Sequence, residues 1–465
     1  MSQLRVLLLG AASAIATVVH YPPASTNINN LTFALHGTGR PGIFNSSVTP
    51  NREYGIYNWC NMPHVRSMEY KSPSNDFELQ FVEVIQRHHK RTPYASNTFF
   101  KEDISWDCNG SGPVVGLASP KVDITQVEWQ ASVSSANPFT TLVGPGFPGS
   151  TCQFPSITAE GLTDSEAHGS DLRQVYAKRL GLKDKFDPSV ARIRVTNNVI
   201  TSQVASGLLH GLFPKSDHIQ VEIQSSSFDS LEPTYPCSKA NSLRNDFTTG
   251  SKGQVWQDHL SAAASLYNKL DSVSGIARDD SGGWHVSFDH YYDNMSAKQC
   301  HSKHLPCSVN DTSLCVTQDE ADTVYRLGNW EYSYIFRDAP DSTAYSALHY
   351  GAYALELKSH LTDVMQGKSK LRYFHNVAHD GSISPLLGLL QIDVMVWPGM
   401  GSEVVFELYK NTHSEGYFIR VLWSGQPMKT STPLGTLDMI KVEDFFTYID
   451  SMVGSGSDLV SACNS

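Results

Sequence analysis

Charge is scarce in this chain: Asp, Glu, Lys and Arg make up only 17% of its 465 residues. Set beside 40% apolar residues, that excludes a self-repelling disordered polymer and leaves enough apolar surface for a sizeable core. Positive charge is the thinnest. The formal net charge is −11, and one short basic run at 87–91 falls short of the clustered footprint that nucleic-acid binding requires. No nucleic-acid partner is expected, and an anionic substrate would need a locally positive pocket inside an acidic shell. Long hydrophobic runs are missing too. No stretch reaches the ~18 apolar residues of a membrane span; Pro385–Met400 comes nearest and is interrupted by Asp393 and prolines. The end of the chain, Leu459-Val460-Ser461-Ala462-Cys463, lacks the long apolar tail of a lipid anchor, so no stable membrane anchor is expected. No repeat of solenoid period is visible.

Tight cysteine pairs are also absent, which argues against zinc. What the chain has is eight cysteines, an even number spread from Cys60 to Cys463, the pattern of a disulfide framework whose pairing sequence cannot give. The first residues read as an export signal: Arg5, the apolar run Val6–Ala16, and Ala14-Ile15-Ala16 as a small-x-small cleavage pattern. Sequons stand at Asn30, Asn45, Asn109, Asn294 and Asn310. Together these predict a secreted, glycosylated, disulfide-bonded protein.

A length of 465 residues fits two packed units. Residues 21–75, rich in Pro, Asn, Ser and Tyr, read as an irregular N-terminal arm after the signal at 1–20. Leu79–Ile85 reads as a strand ending at Arg87-His88. Thr163 and Glu166 look like a capping box opening a helix to about Leu182. Ala191–Val195 reads as a strand and Ile200–Leu212 as a helix closed by Pro214. Leu371–Ala378 is a strand and Ser384–Leu390 a helix; Glu403–Tyr409 and Tyr417–Trp423 form an antiparallel pair. Strands alternating with helices predict an α/β fold, with a mostly parallel central sheet flanked by helices. Residues 226–344 read as a smaller, mainly helical inserted cap, leaving 76–225 and 345–465 to the α/β domain.

In such sheets ligands bind beyond the carboxyl ends of the strands. Two strands end in charged clusters there: Arg87-His88-His89-Lys90-Arg91-Thr92-Pro93 and His379-Asp380. A phosphoryl group needs planar, permanent cations for its oxygens, which Arg87 and Arg91 supply. It also needs a nucleophile that works when neutral, which the His88 imidazole supplies, kept neutral by adjacent cations. Asp380 offers a proton to a leaving alkoxide, and His379 a hydrogen bond to a phosphoryl oxygen.

These residues resemble the histidine acid phosphatases, the branch of the histidine phosphatase superfamily with acid phosphatases and phytases, whose signature is Arg-His-Gly-x-Arg-x-Pro followed far downstream by His-Asp. The chain looks like a divergent, fungal-type member. The likeness extends over about 75–445, through Gly161-Leu162-Thr163, the segment from Arg194 to Leu212-Phe213-Pro214, and the terminal strand pair. It implies a phosphohistidine on His88, phosphoryl binding by Arg87, Arg91 and His379, protonation by Asp380, a small phosphate-ester substrate, an acidic optimum, no metal and no cofactor. Two positions depart from the pattern. His89 stands where the family has glycine, and Ile200 aligns with a second clamp arginine. His89 and Lys90 are candidate auxiliary donors. Losing one transition-state donor costs ~3 kcal/mol, so two other readings stay open: a repurposed enzyme acting on a non-phosphate substrate, with Ile200 beside the pocket, and a silent binding relative.

Overall fold

The computed structural model describes residues 18–49, 54–98, 104–108, 113–114, 127–128, 131–132, 134–139, 146 and 149–465; the expected cleavage pattern at 14–16 and the sequon at Asn109 lie outside them. Seven strands form one sheet: β1 (Phe77–Arg87), β2 (Ala191–Val195), β3 (Tyr373–Ala378), β4 (Glu403–Asn411), β5 (Tyr417–Trp423), β6 (Gln426–Pro427) and β7 (Ile440–Lys441). Their order is β2-β3-β1-β4-β5-β6, with β7 also on β5. The helices named below are α1 (Leu31–His36), α2 (Ala159–Leu180), α3 (Val199–Leu212), α4 (Ser238–Thr248), α5 (Gln254–Ala262), α6 (Ala264–Ser274), α7 (Asp289–Cys300), α8 (Gln318–Ser333), α9 (Ser342–Met365), α10 (Asp380–Leu389), α11 (Val442–Val453) and α12 (Gly456–Cys463).

The α/β architecture with a central sheet flanked by helices is present. Parallel pairing, however, is confined to β2, β3 and β1; β4 to β7 all pair antiparallel. The turns at 412–416 and 424–425 explain two of these pairs, because strands joined by a tight turn run antiparallel; β4 meets β1 antiparallel because the chain re-enters the sheet at the end where β3 left it, with Glu403 level with Gln86. Side-chain alternation splits the core in two. Phe81, Ile85, Phe374, Phe406 and Val421 face one apolar cluster with the α9, α10 and α11 helices. Val82, Val84, Val377, Val405 and Leu422 face the other with α2 and α3. A bulge between Leu79 and Phe81 resets the parity of β1, so that Leu79 joins Val82 and Val84 on one face.

Helix α2 begins five residues before the expected start. Its cap is Thr158, whose side chain accepts from Gly161 N–H, whereas Thr163 lies inside the helix with its hydroxyl donated to the Ala159 carbonyl at 3.1 Å. The proposed Thr163–Glu166 capping box is therefore not formed. Helices α2 and α3 touch backbone to backbone: a Cβ on Gly169 would run into the Leu208 carbonyl. Helix α10 likewise starts early, at Asp380, because a carboxylate suits the first turn of a helix.

Residues 226–344 supply α4 to α8 and no strand of the main sheet. The arm is irregular apart from α1, yet Phe44 and Trp59 are buried in the first cluster. All eight cysteines pair, as Cys60–Cys300, Cys108–Cys152, Cys237–Cys463 and Cys307–Cys315. One sequon does not fit a glycan: Asn294 is fully buried in α7 and accepts from Lys298 Nζ at 2.9 Å. Asn30, Asn45 and Asn310 are exposed. Among the described residues no helix is long and apolar enough to cross a membrane.

Candidate active site

The parallel register sets the site. Arg87 at the end of β1 is level with Ala378 at the end of β3, so the next residues, His88 and His379, leave the sheet side by side. The His88 N–H donates to the Ala378 carbonyl at 3.0 Å, and the two imidazoles meet edge to face with ring centres 5.5 Å apart. The structure thus brings Arg87, His88, Arg91, His379 and Asp380 to one edge.

His88 is oriented by its neighbour: its Nδ1 lies 3.0 Å from the His89 carbonyl oxygen, an acceptor, so Nδ1 carries the proton and Nε2 keeps its lone pair. Burial, reinforced by the Arg91 and Arg87 guanidiniums, holds this imidazole well below the usual histidine range. Arg87 pairs with Asp380 at 3.1 Å, donates to the Pro398 carbonyl, and lies over the Trp59 ring at 4.6 Å. Arg91 pairs with Asp293 of α7 at 3.0 Å and lies over Tyr94 at 4.4 Å.

His379 caps α10 in extended conformation, with Nε2 2.8 Å from the Thr196 hydroxyl and 3.8 Å from Glu232. Burial lowers it to about 4 against the pull of Asp380. Asp380 accepts from Trp397 Nε1 at 2.6 Å, Tyr332 OH at 3.4 Å and Gly381 N–H at 2.8 Å, with Tyr332 and Trp397 stacked at 3.9 Å. Burial would raise this carboxyl, but Arg87 and the Trp397 N–H outweigh it and hold it below the ordinary range.

The two auxiliary candidates are engaged elsewhere. His89 turns inward, its Nε2 3.2 Å from His168 Nδ1. Lys90 pairs with Glu160 at 2.9 Å and Asp164 at 3.2 Å. Ile200 is fully buried in the apolar cluster of α2 and α3, and its N–H donates to the Asn198 cap at 3.3 Å. Arg194 is drawn away to Glu356 at 2.7 Å.

Sequence reasoning missed Thr196, Asp293, Glu232, Tyr332 and Trp397, all from segments whose placement depends on tertiary folding. It also missed Asp289, which desolvation and the carboxylates of Asp293, Asp380 and Glu331 push up to about 7, Arg91 opposing. The spacing of Asp289 and Asp293, one helical turn apart, is the single trace these residues leave in the sequence.

The profile of the histidine phosphatase superfamily (branch 2) matches residues 78–424. Lysophosphatidic acid phosphatase type 6 from Bos taurus is 26% identical over 378 residues, covering 78% of this chain and 81% of its own length. 2-phosphoxylose phosphatase 1 from Homo sapiens is 22% identical over 500 residues, covering 99% and 98%. Among solved structures, the phytase from Citrobacter braakii aligns with a TM-score of 0.53 at 13% identity, over 82% of this chain and 99% of its own. The Hafnia alvei phytase aligns at 0.51 and 14%, over 84% and 99%. These two share the fold.

Proposed function

The chain belongs to branch 2 of the histidine phosphatase superfamily, and from that premise we propose that it is an exported hydrolase of small phosphate monoesters, working through a phosphohistidine on His88. One observation carries the reading: His88 is held with Nδ1 on the His89 carbonyl at 3.0 Å, between two guanidiniums, at the edge where β3 delivers His379 and Asp380. Its lone pair on Nε2 attacks phosphorus, and the P–O bond to the leaving alkoxide breaks. Asp380 gives that oxygen its proton. Water then attacks phosphorus, Asp380 takes the water's proton, and the P–N bond breaks to restore His88. Arg87, Arg91 and the His379 Nδ1 bind the phosphoryl oxygens, and most of the rate comes from this positioning and charge neutralisation.

In the free enzyme Arg87 keeps Asp380 ionised. A bound phosphoryl group takes up part of the Arg87 charge, the carboxyl climbs, and in weakly acidic solution it carries the proton that departure needs. His88 meanwhile stays neutral, which suits an acidic optimum. The pocket also limits the substrate. The carboxylates of Asp380 and Asp293 pair with the guanidiniums of Arg87 and Arg91, and Glu232 lies 3.8 Å from His379, so a leaving group with further phosphates meets repulsion. Four disulfides support export.

A second reading, the same residues acting on a non-phosphate substrate, is favoured by one observation: each guanidinium of the cluster already holds a carboxylate. The test is phosphate release from an aryl phosphate, a singly phosphorylated sugar, a lysophospholipid phosphate and phytate at about pH 5 and pH 7, beside His88→Ala. Release from the singly phosphorylated esters that vanishes in a folded His88→Ala protein is expected. No release from any ester by wild-type protein would sink the proposal and leave the second reading.

A further inference from the structure

We infer that His168 and Glu403 are positioning residues for the reaction of His88: with His89 they form a buried hydrogen-bonded chain that fixes the carbonyl on which the nucleophile's ring is oriented. This rests on the reading of His88 as nucleophile.

The chain is continuous. Glu403 Oε1 accepts from Val65 N–H at 2.7 Å, and Oε2 lies 2.9 Å from His168 Nε2. His168 Nδ1 lies 3.2 Å from His89 Nε2. All three side chains are fully buried, and burial with neighbouring histidines holds His89 and His168 neutral. That dictates one proton order. The Glu403 carboxylate accepts a hydrogen bond from His168 Nε2–H, so His168 Nδ1 is bare and accepts from His89 Nε2. The His89 Nδ1 is then bare as well, and it is the ring atom with no hydrogen-bond partner. The opposite order would place an N–H there with nothing to receive it.

Both ends are built on rigid elements. Glu403 opens β4 opposite Gln86 of β1, one residue before Arg87. His168 lies in α2, with the His64 ring stacked on it at 3.9 Å; His64 is itself held by Asp171 at 2.9 Å. Room for the His89 ring comes from Gly401, whose φ is +69° and where a Cβ would collide with that ring. The Gly401 N–H in turn donates to the His88 carbonyl at 3.0 Å. The imidazole that replaces the small residue of the resembled signature is therefore an anchor for the nucleophile's backbone.

The test compares His168→Leu, which breaks the chain, with His168→Asn, whose side-chain oxygen can still accept from His89. Ring ¹⁵N shifts of labelled histidines report the His88 tautomer, and kcat is counted per site that can be phosphorylated. Wild-type protein is expected to hold His88 in a single tautomer with the proton on Nδ1. His168→Leu is expected to mix the tautomers and to lower per-site kcat about 10- to 100-fold with KM little changed, since a small misplacement of a reacting group costs about that much. His168→Asn should recover most of the loss. A single tautomer and wild-type per-site kcat in His168→Leu would overturn the inference and leave His168 a packing residue. If His168→Leu does not fold, His89→Gly removes the same link, and an unchanged tautomer there overturns it equally. Were wild-type protein to hydrolyse no ester, the proposed function would fall, while the tautomer comparison would still decide the positioning.

Discussion

Replacing Asp293 with alanine strips the counter-charge from a guanidinium that is almost fully enclosed. Arg91 and Asp293 expose 5% and 6% of their side chains, and Arg91 Nη1 lies 3.0 Å from Oδ1 and 3.3 Å from Oδ2. The same carboxylate accepts from Tyr94 N–H at 3.2 Å and Asn97 Nδ2 at 2.9 Å. Removing one partner of a buried pair costs about 3–5 kcal/mol, since the surviving charge stays buried without compensation. The urea midpoint of Asp293→Ala should fall accordingly. Inorganic phosphate adds a second arm. In wild-type protein phosphate must compete with Asp293 for Arg91; in the variant it meets an unpaired guanidinium. Phosphate at about a hundred times its Kd would return about 2.7 kcal/mol, and because binding is tighter in the variant, a given concentration should stabilise it more. A variant within about 1 kcal/mol of wild type, or equal stabilisation of both proteins by phosphate, would refute the account of Arg91 as a phosphoryl ligand held by a buried counter-ion.

Asp289→Asn should change the pH dependence of stability. A carboxyl raised from 3.8 to about 7 favours the folded state when protonated, so its benefit is complete below 3.8 and is lost as pH rises to about 7; the Tm of the variant should gain on wild type across that window, and a constant difference would show that Asp289 ionises normally. Ile200→Arg should not complete a phosphate clamp. The site is fully buried among apolar side chains, and an unpaired charge there costs several kcal/mol. Lower Tm and no gain on an aryl phosphate are expected, and a stable variant with raised kcat/KM would mean that this side chain can reach the pocket.

How much was legible follows from what each signal depends on. The strands Ala191–Val195 and Tyr417–Trp423 are bounded as read, because their β-branched and aromatic alternation is local. So is the meeting of His88 with His379, since strand ends in a sheet share an edge and the register of β1 with β3 needs no further information. The start of α2 was misread because Thr158 and Thr163 carry the same capping chemistry, and only the packing of the helix decides between them. The inward turn of His89 and the burial of Ile200 depend on which face of an element meets the core, and the antiparallel pairing of β4 with β1 depends on the end at which the chain re-enters the sheet. Asp293 and Trp397 reach the site from segments far from either motif, and no spacing rule links them to it.

Helix α7 is fastened at both ends. Near its start, Asp293 of α7 grips Arg91; at its end, Cys300 is joined to Cys60 of the arm, and the following His301 lies 2.8 Å from the Thr158 hydroxyl. The element beside Arg91 is thus a girder tied down at both ends, and loosening it means breaking a buried ion pair or a disulfide.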